Sequence, residues 1–367
     1  MKKALTVLAL GAALAVAACG DEDDDTSAAQ QTTTTAAATA DAGDLGAIKT
    51  YLTEHTQQLA ATTEQLAEQG KSYRDLAQTT NFDYAQLLDT KREDVKAVID
   101  DLQKSWREAN PLYEEAEGVV AGVPELSEFD VILDAGSDAS DPESAVPFDV
   151  KLPNGKVLKQ PGNFFFLTET SLFGTNKAFQ AKGVSKPDLD GDGKVAFGEA
   201  VPDADHVFAF TRDMAAQAKQ LNAAAAKWQP KQSDAFQALV TMTPTMSEYF
   251  GQWKNSRFIA GSKAEEEGFV ASSRLKDIED ILTGLVLIEE NIHDATAKVD
   301  EAQAQQIQEE LTGLRAFAED LRKKEAAGTK FTAEQADTLG SQAQERAEAI
   351  AGQVSQAAGQ LGIELES

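Results

Sequence analysis

Apolar residues recur at intervals of three and four over most of this 367-residue chain, and that period belongs to the α-helix. In residues 45–77 the repeat runs through Ile48, Leu52, His55, Leu59, Thr62, Leu66 and Tyr73. A second stripe starts near Tyr84 and carries Leu88, Val95, Val98, Ile99, Leu102 and Trp106. Pro111 is expected to kink or break it, because proline lacks the amide that the helix needs. Residues 122–162 lose the period and fill with Gly, Pro, Ser and Asp. Within them Phe148 to Leu158 alternates around Asn154-Gly155, a hairpin signal. Residues 163–181 read as helix. So do the stripes of Val207, Phe210, Met214 and Leu221, of 236–253 with an interruption near Pro244, of 272–304, of 307–324 and of 332–361. Thr332 and Gln335 have capping-box spacing. The expected class is mainly α: an up-and-down helical bundle, as one body or two bundle halves, with a small hairpin/loop insert.

Residues 188–199 interrupt this pattern with a different grammar. Asp188, Asp190 and Asp192 place carboxylates at positions 1, 3 and 5 of a twelve-residue loop. Gly193 at position 6 permits a sharp turn, the Lys194 carbonyl stands at position 7 and Glu199 closes position 12. That spacing surrounds a hard, oxygen-seeking cation, so Ca2+ is the expected ligand of an EF-hand-type loop. Val195, at position 8, is expected to anchor the loop by facing inward. Pro187 and Pro202 close to the loop argue against helices directly flanking it, and it has no partner loop. A structural clamp is therefore expected, not a sensor.

The N-terminus has the three parts of an export signal: Lys2 and Lys3, an apolar run from Ala4 to Ala18, and small residues before Cys19. The apolar run is too short to span a bilayer. Val16-Ala17-Ala18-Cys19 matches the lipobox of lipoprotein precursors, so Cys19 is the expected lipidation site and the membrane the expected partner. Residues 1–18 are then the signal and 19–44 an acidic, Thr- and Ala-rich tether. Residues 45–325 form the helical domain, with the insert at 122–162, and 326–367 add a C-terminal helix. Gly20 after the cysteine, in place of an aspartate, favours the outer membrane where the cell has one.

Composition removes several functions. Formal net charge is −28, or −30 once Lys2 and Lys3 leave with the signal. Such a chain repels nucleic acid and favours cations. Cys19 is the sole cysteine, so no disulfide is available. There are three histidines, and neither HExxH nor GxSxG occurs.

Three stretches together resemble the imelysin-like family, also classed as peptidase M75 and related to EfeO-type iron-uptake lipoproteins. The first runs from Trp106 through Asn110-Pro111, Tyr113, Glu114 and Glu117 to Asp130 and Asp134. The second is Asn163-Phe164-Phe165-Phe166-Leu167-Thr168-Glu169, similar to the family's GxHxxE helix. The third is Ser273-Arg274-Leu275-Lys276-Asp277. The resemblance implies a helical envelope protein with a cleft at Glu117, Asp130, Glu169 and Arg274, and with metal-transport or surface partners. Phe166 stands where the family has its histidine, and a phenyl ring cannot ligate a metal. The expectation is therefore a non-enzymatic ligand- or metal-binding protein linked to iron uptake, its transition metal unspecified. A metallopeptidase and a calcium-dependent polysaccharide-binding adhesin are the alternatives. Glu169 is expected to be solvated or ion-paired. Glu117, Asp130 and Arg274 are expected to join the two halves as a buried polar network.

Overall fold

The computed structural model describes residues 44–366; the signal, Cys19 and nearly all of the tether lie outside the described residues. Two long helices open the chain, α1 (Leu45–Gln78) and α2 (Tyr84–Val120). Asp44 and Asp83 cap them, each side chain accepting from a backbone amide of the first turn. A short turn, α3 (Ser127–Asp130), runs into a π-helical turn over Val131–Ala135. The hairpin follows, β1 (Asp149–Lys151) against β2 (Val157–Lys159), with Val150 opposite Leu158. Gly155 supplies its left-handed corner at φ +88°. Phe148 stacks on Phe164, with ring centroids 4.6 Å apart, and this fastens the hairpin to α4 (Phe164–Leu172).

The remaining helices are α5 (Ala204–Lys227), α6 (Gln232–Met242), α7 (Met246–Asn255), the single turn α8 (Arg257–Ala260), α9 (Arg274–Ala297), α10 (Glu301–Ala326) and α11 (Ala333–Leu361). The architecture is mainly α. One layer packs α1 against α2 and α5, with α4 laid across α2 and α5. The other packs α9 with α10, and α11 with α6, α7 and α10. The seam between them is the crossing of α2 and α9. Thr332 and Gln335 do form the capping box of α11. That helix packs into the second layer, not apart from the preceding domain. No described helix is long and apolar enough to cross a membrane.

Several local expectations change. On α1 the buried stripe runs through Thr56 and Thr63, and Thr62 stands at its edge; His55 takes the core-edge place that its position on the stripe suggests. Threonine can take the interior because its hydroxyl finds an acceptor nearby: Thr63 donates to the Leu59 carbonyl at 2.8 Å. Pro111 does not end α2. Packing on both layers holds the helix through it, and the non-helical backbone lies at Lys91 (φ −142°). The helix expected over 163–181 stops at Leu172, because Gly174 turns left-handed (φ +74°). The helix expected over 272–304 ends at Ala297, and Asp300 caps a new one by accepting from the Gln303 amide at 3.0 Å.

The α2–α9 crossing is close because Gly284 has no side chain. A Cβ built there would stand 2.4 Å from the Glu115 carbonyl oxygen, with rigid backbone on both sides. Overpacking of this kind costs about 1–3 kcal/mol. Gly284→Ala should lower unfolding free energy by that amount in a urea titration, with helix content by circular dichroism unchanged.

Candidate functional site

Where the two layers meet, α2, the π-turn, α4, α7 and the segment entering α9 enclose a cavity of about 500 Å³. Glu117, Asp130, Glu169 and Arg274 all line it. Its electrostatic centre is Arg274, the first residue of α9 and only 2% exposed. The guanidinium lies over the rings of Tyr249 (4.4 Å) and Phe269 (4.2 Å). Its Nε donates to Gln252 Oε1 at 2.8 Å, and Nη1 reaches Asp277 at 3.3 Å and Glu114 at 3.4 Å. Asn110 donates to the other oxygen of Asp277 at 3.0 Å. Burial pulls the Arg274 pKa down, and Glu114 and Asp277 more than reverse this, so the charge persists. Tyr249 donates to Glu117 at 2.9 Å and Tyr113 to Asp130 at 2.6 Å. Desolvation pushes Glu114, Glu117, Asp130 and Asp134 above the usual carboxyl range.

Glu169 is neither solvated nor ion-paired. It is 3% exposed, and three successive amides point at it. Phe269 donates to Oε2 at 2.7 Å, and Val270 and Ala271 donate to Oε1 at 2.9 Å each. One carboxylate thus ties α4 to the segment leading into α9. Phe269 holds φ +51° there, an uncommon conformation for a non-glycine residue, kept in place by the surrounding bonds. The Phe166 ring packs against Gly268, where a Cβ would come within 3.2 Å of it. A metal at the 166/169 position does not fit these residues. Phe166 offers no lone pair, and both oxygens of Glu169 are already committed to amides.

Residues 188–199 lie between α4 and α5, with no helix directly on either side. Asp188, Asp190 and Asp192 can bring one oxygen each within 4.8 Å of one another. Asp188 accepts from the Gly191 and Gly193 amides at 2.7 and 3.0 Å, and Asp192 from the Lys194 amide at 2.7 Å. Glu199 stands outside that convergence. Its carboxylate accepts from Leu189, Asp190 and Ala196, and these bonds, the one from Ala196 above all, hold its pKa below the usual range. Val195 does not face inward: it is 49% exposed, and Leu189, at 2%, is the buried anchor. The loop also reaches the cavity wall. Phe197 lies 3.6 Å under the Arg257 guanidinium, whose Nε donates to the Val270 carbonyl at 2.8 Å.

Glu114, Asp134, Asp277 and the amides of residues 269–271 complete the site and were not singled out as site residues from the sequence. Glu114 had a signal, since it stands three positions before Glu117 and shares its helix face. The amides had none, because backbone groups are the same in every residue.

The raised acids invert the usual acid denaturation between pH 5 and 8. Burial lifts Glu169 to about 7 despite its amide bonds. Its folded pKa lies above its unfolded one, so the folded state binds more protons in that interval and stability falls as pH rises. The chelator-treated protein should therefore melt at higher temperature at pH 5 than at pH 8. Glu169→Gln, which cannot ionise, should flatten this slope by on the order of 3 kcal/mol over the interval. Thermal melts across pH read both effects.

Among curated proteins no match is found. The family model described as imelysin, peptidase M75, matches residues 47–356. That span includes every helix lining the cavity and most of α11, and the chain belongs to the imelysin family.

Proposed function

We propose that this chain is a cell-envelope protein, anchored through an acylated Cys19, whose cavity captures a cation without hydrolysing a substrate. In this reading it serves metal uptake, with iron the first metal to test, and an outer-membrane position is favoured by Gly20. One observation carries the proposal: among the described residues, nine acidic side chains and a single basic one, Arg274, line the cavity. A low-dielectric cleft of one sign focuses the field and concentrates the opposite charge. The engagement of Glu169 and the phenyl ring at 166 support a binding role over a hydrolytic one, because a catalytic metal needs open coordination and a free base.

The family's designation as a peptidase supports the competing reading, and one pair of assays separates the two. Calorimetry of the full-length protein in detergent with Fe2+ should show binding, while unstructured protein substrates stay intact with Fe2+, Zn2+ or Mn2+ present. Metal-dependent cleavage that Glu169→Gln abolishes would establish a peptidase instead.

Calcium in residues 188–199 is proposed as a clamp. The three converging aspartates suit a hard cation, and left-handed Gly191 and Gly193 (φ +76° and +86°) already bend the backbone around it. Glu199 would have to give up part of its amide bonding to join. Bound calcium would steady the loop and, through Phe197 and Arg257, the cavity wall. At calcium a hundredfold above Kd the gain is about 2.7 kcal/mol. Differential scanning fluorimetry should show calcium raising the melting temperature of the unmodified protein. That increment should vanish in an Asp188→Ala, Glu199→Ala variant.

A further inference from the structure

In a chain of net charge −28 an arginine has acids in abundance to pair with. Arg107 and Arg257 stand close to one another and pair with none. The Arg107 guanidinium, on α2, lies 4.7 Å from the centre of the Phe173 ring, and Arg257, the first residue of α8, lies 3.6 Å from that of Phe197. The two rings are themselves stacked, with centroids 5.9 Å apart and planes 14° apart. Among the described residues Arg107 donates no hydrogen bond, and Arg257 donates only the one from Nε to the Val270 carbonyl. The acids that act on them from a distance are already engaged. Lys96 holds Asp100 at 2.6 Å, and the amides of residues 269–271 hold Glu169.

The rings under these cations are fixed from below. Gln103, itself 7% exposed, donates to the carbonyls of Leu172 at 2.9 Å and Gly198 at 2.7 Å, the neighbours of Phe173 and Phe197. The site stays open above: Arg107 is exposed, Arg257 half-buried and Phe197 47% exposed. Loss of water around each guanidinium holds its pKa below the ordinary arginine value, and for Arg257 the charge of Arg107 adds to this. Two partly desolvated like charges, brought together without an acid, are relieved by an anion. The rings cover the guanidinium faces and leave the N–H edges, which carboxylate and phosphate oxygens accept in pairs.

We propose that Arg107 and Arg257, over the Phe173–Phe197 pair, form a binding site for a small oxyanion with two negative charges, a phosphate group or a dicarboxylate. Neither arginine lines the cavity, so this site stands apart from cation capture. The two positive charges match a dianion, and the exposed face of Phe197 offers apolar contact to any carbon skeleton attached to it. Diffuse attraction cannot draw an anion to a chain this acidic, so binding has to come from the paired guanidinium edges.

Calorimetry of the full-length protein in non-ionic detergent, free of calcium, tests this with inorganic phosphate in one arm and succinate in the other. At least one of them should bind with one ion per chain, and the tighter of the two assigns the class. Arg107→Gln should weaken that binding by about tenfold or more, the size of a lost charge-assisted hydrogen bond. Arg107→Lys should weaken it nearly as much, because the charge stays and the fork is lost. Lys104→Gln, which removes an exposed cation one turn earlier on α2, should change nothing. Arg107 makes no hydrogen bond whose loss would unfold the chain, so its variants should melt as the unmodified protein does. Saturable binding of neither anion, equal binding by Arg107→Gln, or an equal loss in Lys104→Gln would each overturn the site.

Discussion

A guanidinium buried between two helical layers has to be surrounded by groups that replace water, and Arg274 imposes that requirement on everything near it. Its partners come from separate elements: Glu114 from α2, Tyr249 and Gln252 from α7, Asp277 from α9, and Phe269 from the segment before it. Buried ion pairs of this kind add little net stability. Breaking one by removing a partner leaves an uncompensated charge and costs about 3–5 kcal/mol. The arrangement therefore fixes how the layers meet more than how tightly they hold. Glu114 reaches Arg274 only because α2 and α9 lie near each other, an approach that Gly284 permits.

Burial then divides the acids of the cavity into two kinds. Glu114 and Asp277 have a permanent cation, and Glu169 has three amides. Glu117 and Asp130 each receive a single tyrosine hydroxyl. The first kind is structural. The second kind sits beside open volume with bonding capacity to spare, and there a bound cation would find both charge and ligands. In this chain the family's Phe166/Glu169 helix acts as a latch: Glu169 gathers residues 269–271, and Phe166 packs on Gly268 where an imidazole would otherwise offer a nitrogen. Arg257 extends the latch outward to Phe197, so residues 188–199 and the cavity wall share one chain of contacts.

The helices were legible because a 3.6-residue period needs no tertiary information, and the hairpin because Asn154-Gly155 suits only a few turns. Where reading failed, something outside the local sequence decided. Thr56 and Thr63, not Thr62, complete the α1 core because an intrahelical hydroxyl bond makes threonine acceptable inside. Pro111 stayed within α2 because packing on both sides outweighed one missing bond. Val195 turned outward because Leu189 took the anchoring place. Glu117, Asp130, Glu169 and Arg274 could be picked out through the family stretches. Glu117, Asp130 and Arg274 could also be read as a buried polar network, and all three are buried. The bonding partners of the four could not be read, since each lies more than ten residues away in the chain: Tyr249, Tyr113, the 269–271 amides and Glu114.

The sequence by itself determined the helical class, the spacing of the acidic loop and the presence of a phenyl ring, which cannot ligate a metal, at position 166, because period, spacing and residue type are local properties. The tertiary structure decided which carboxylates are buried, which are bonded and which are left facing one another across the cavity. Those outcomes depend on desolvation and on distances between helices far apart in the chain, and neither is written in the order of the residues.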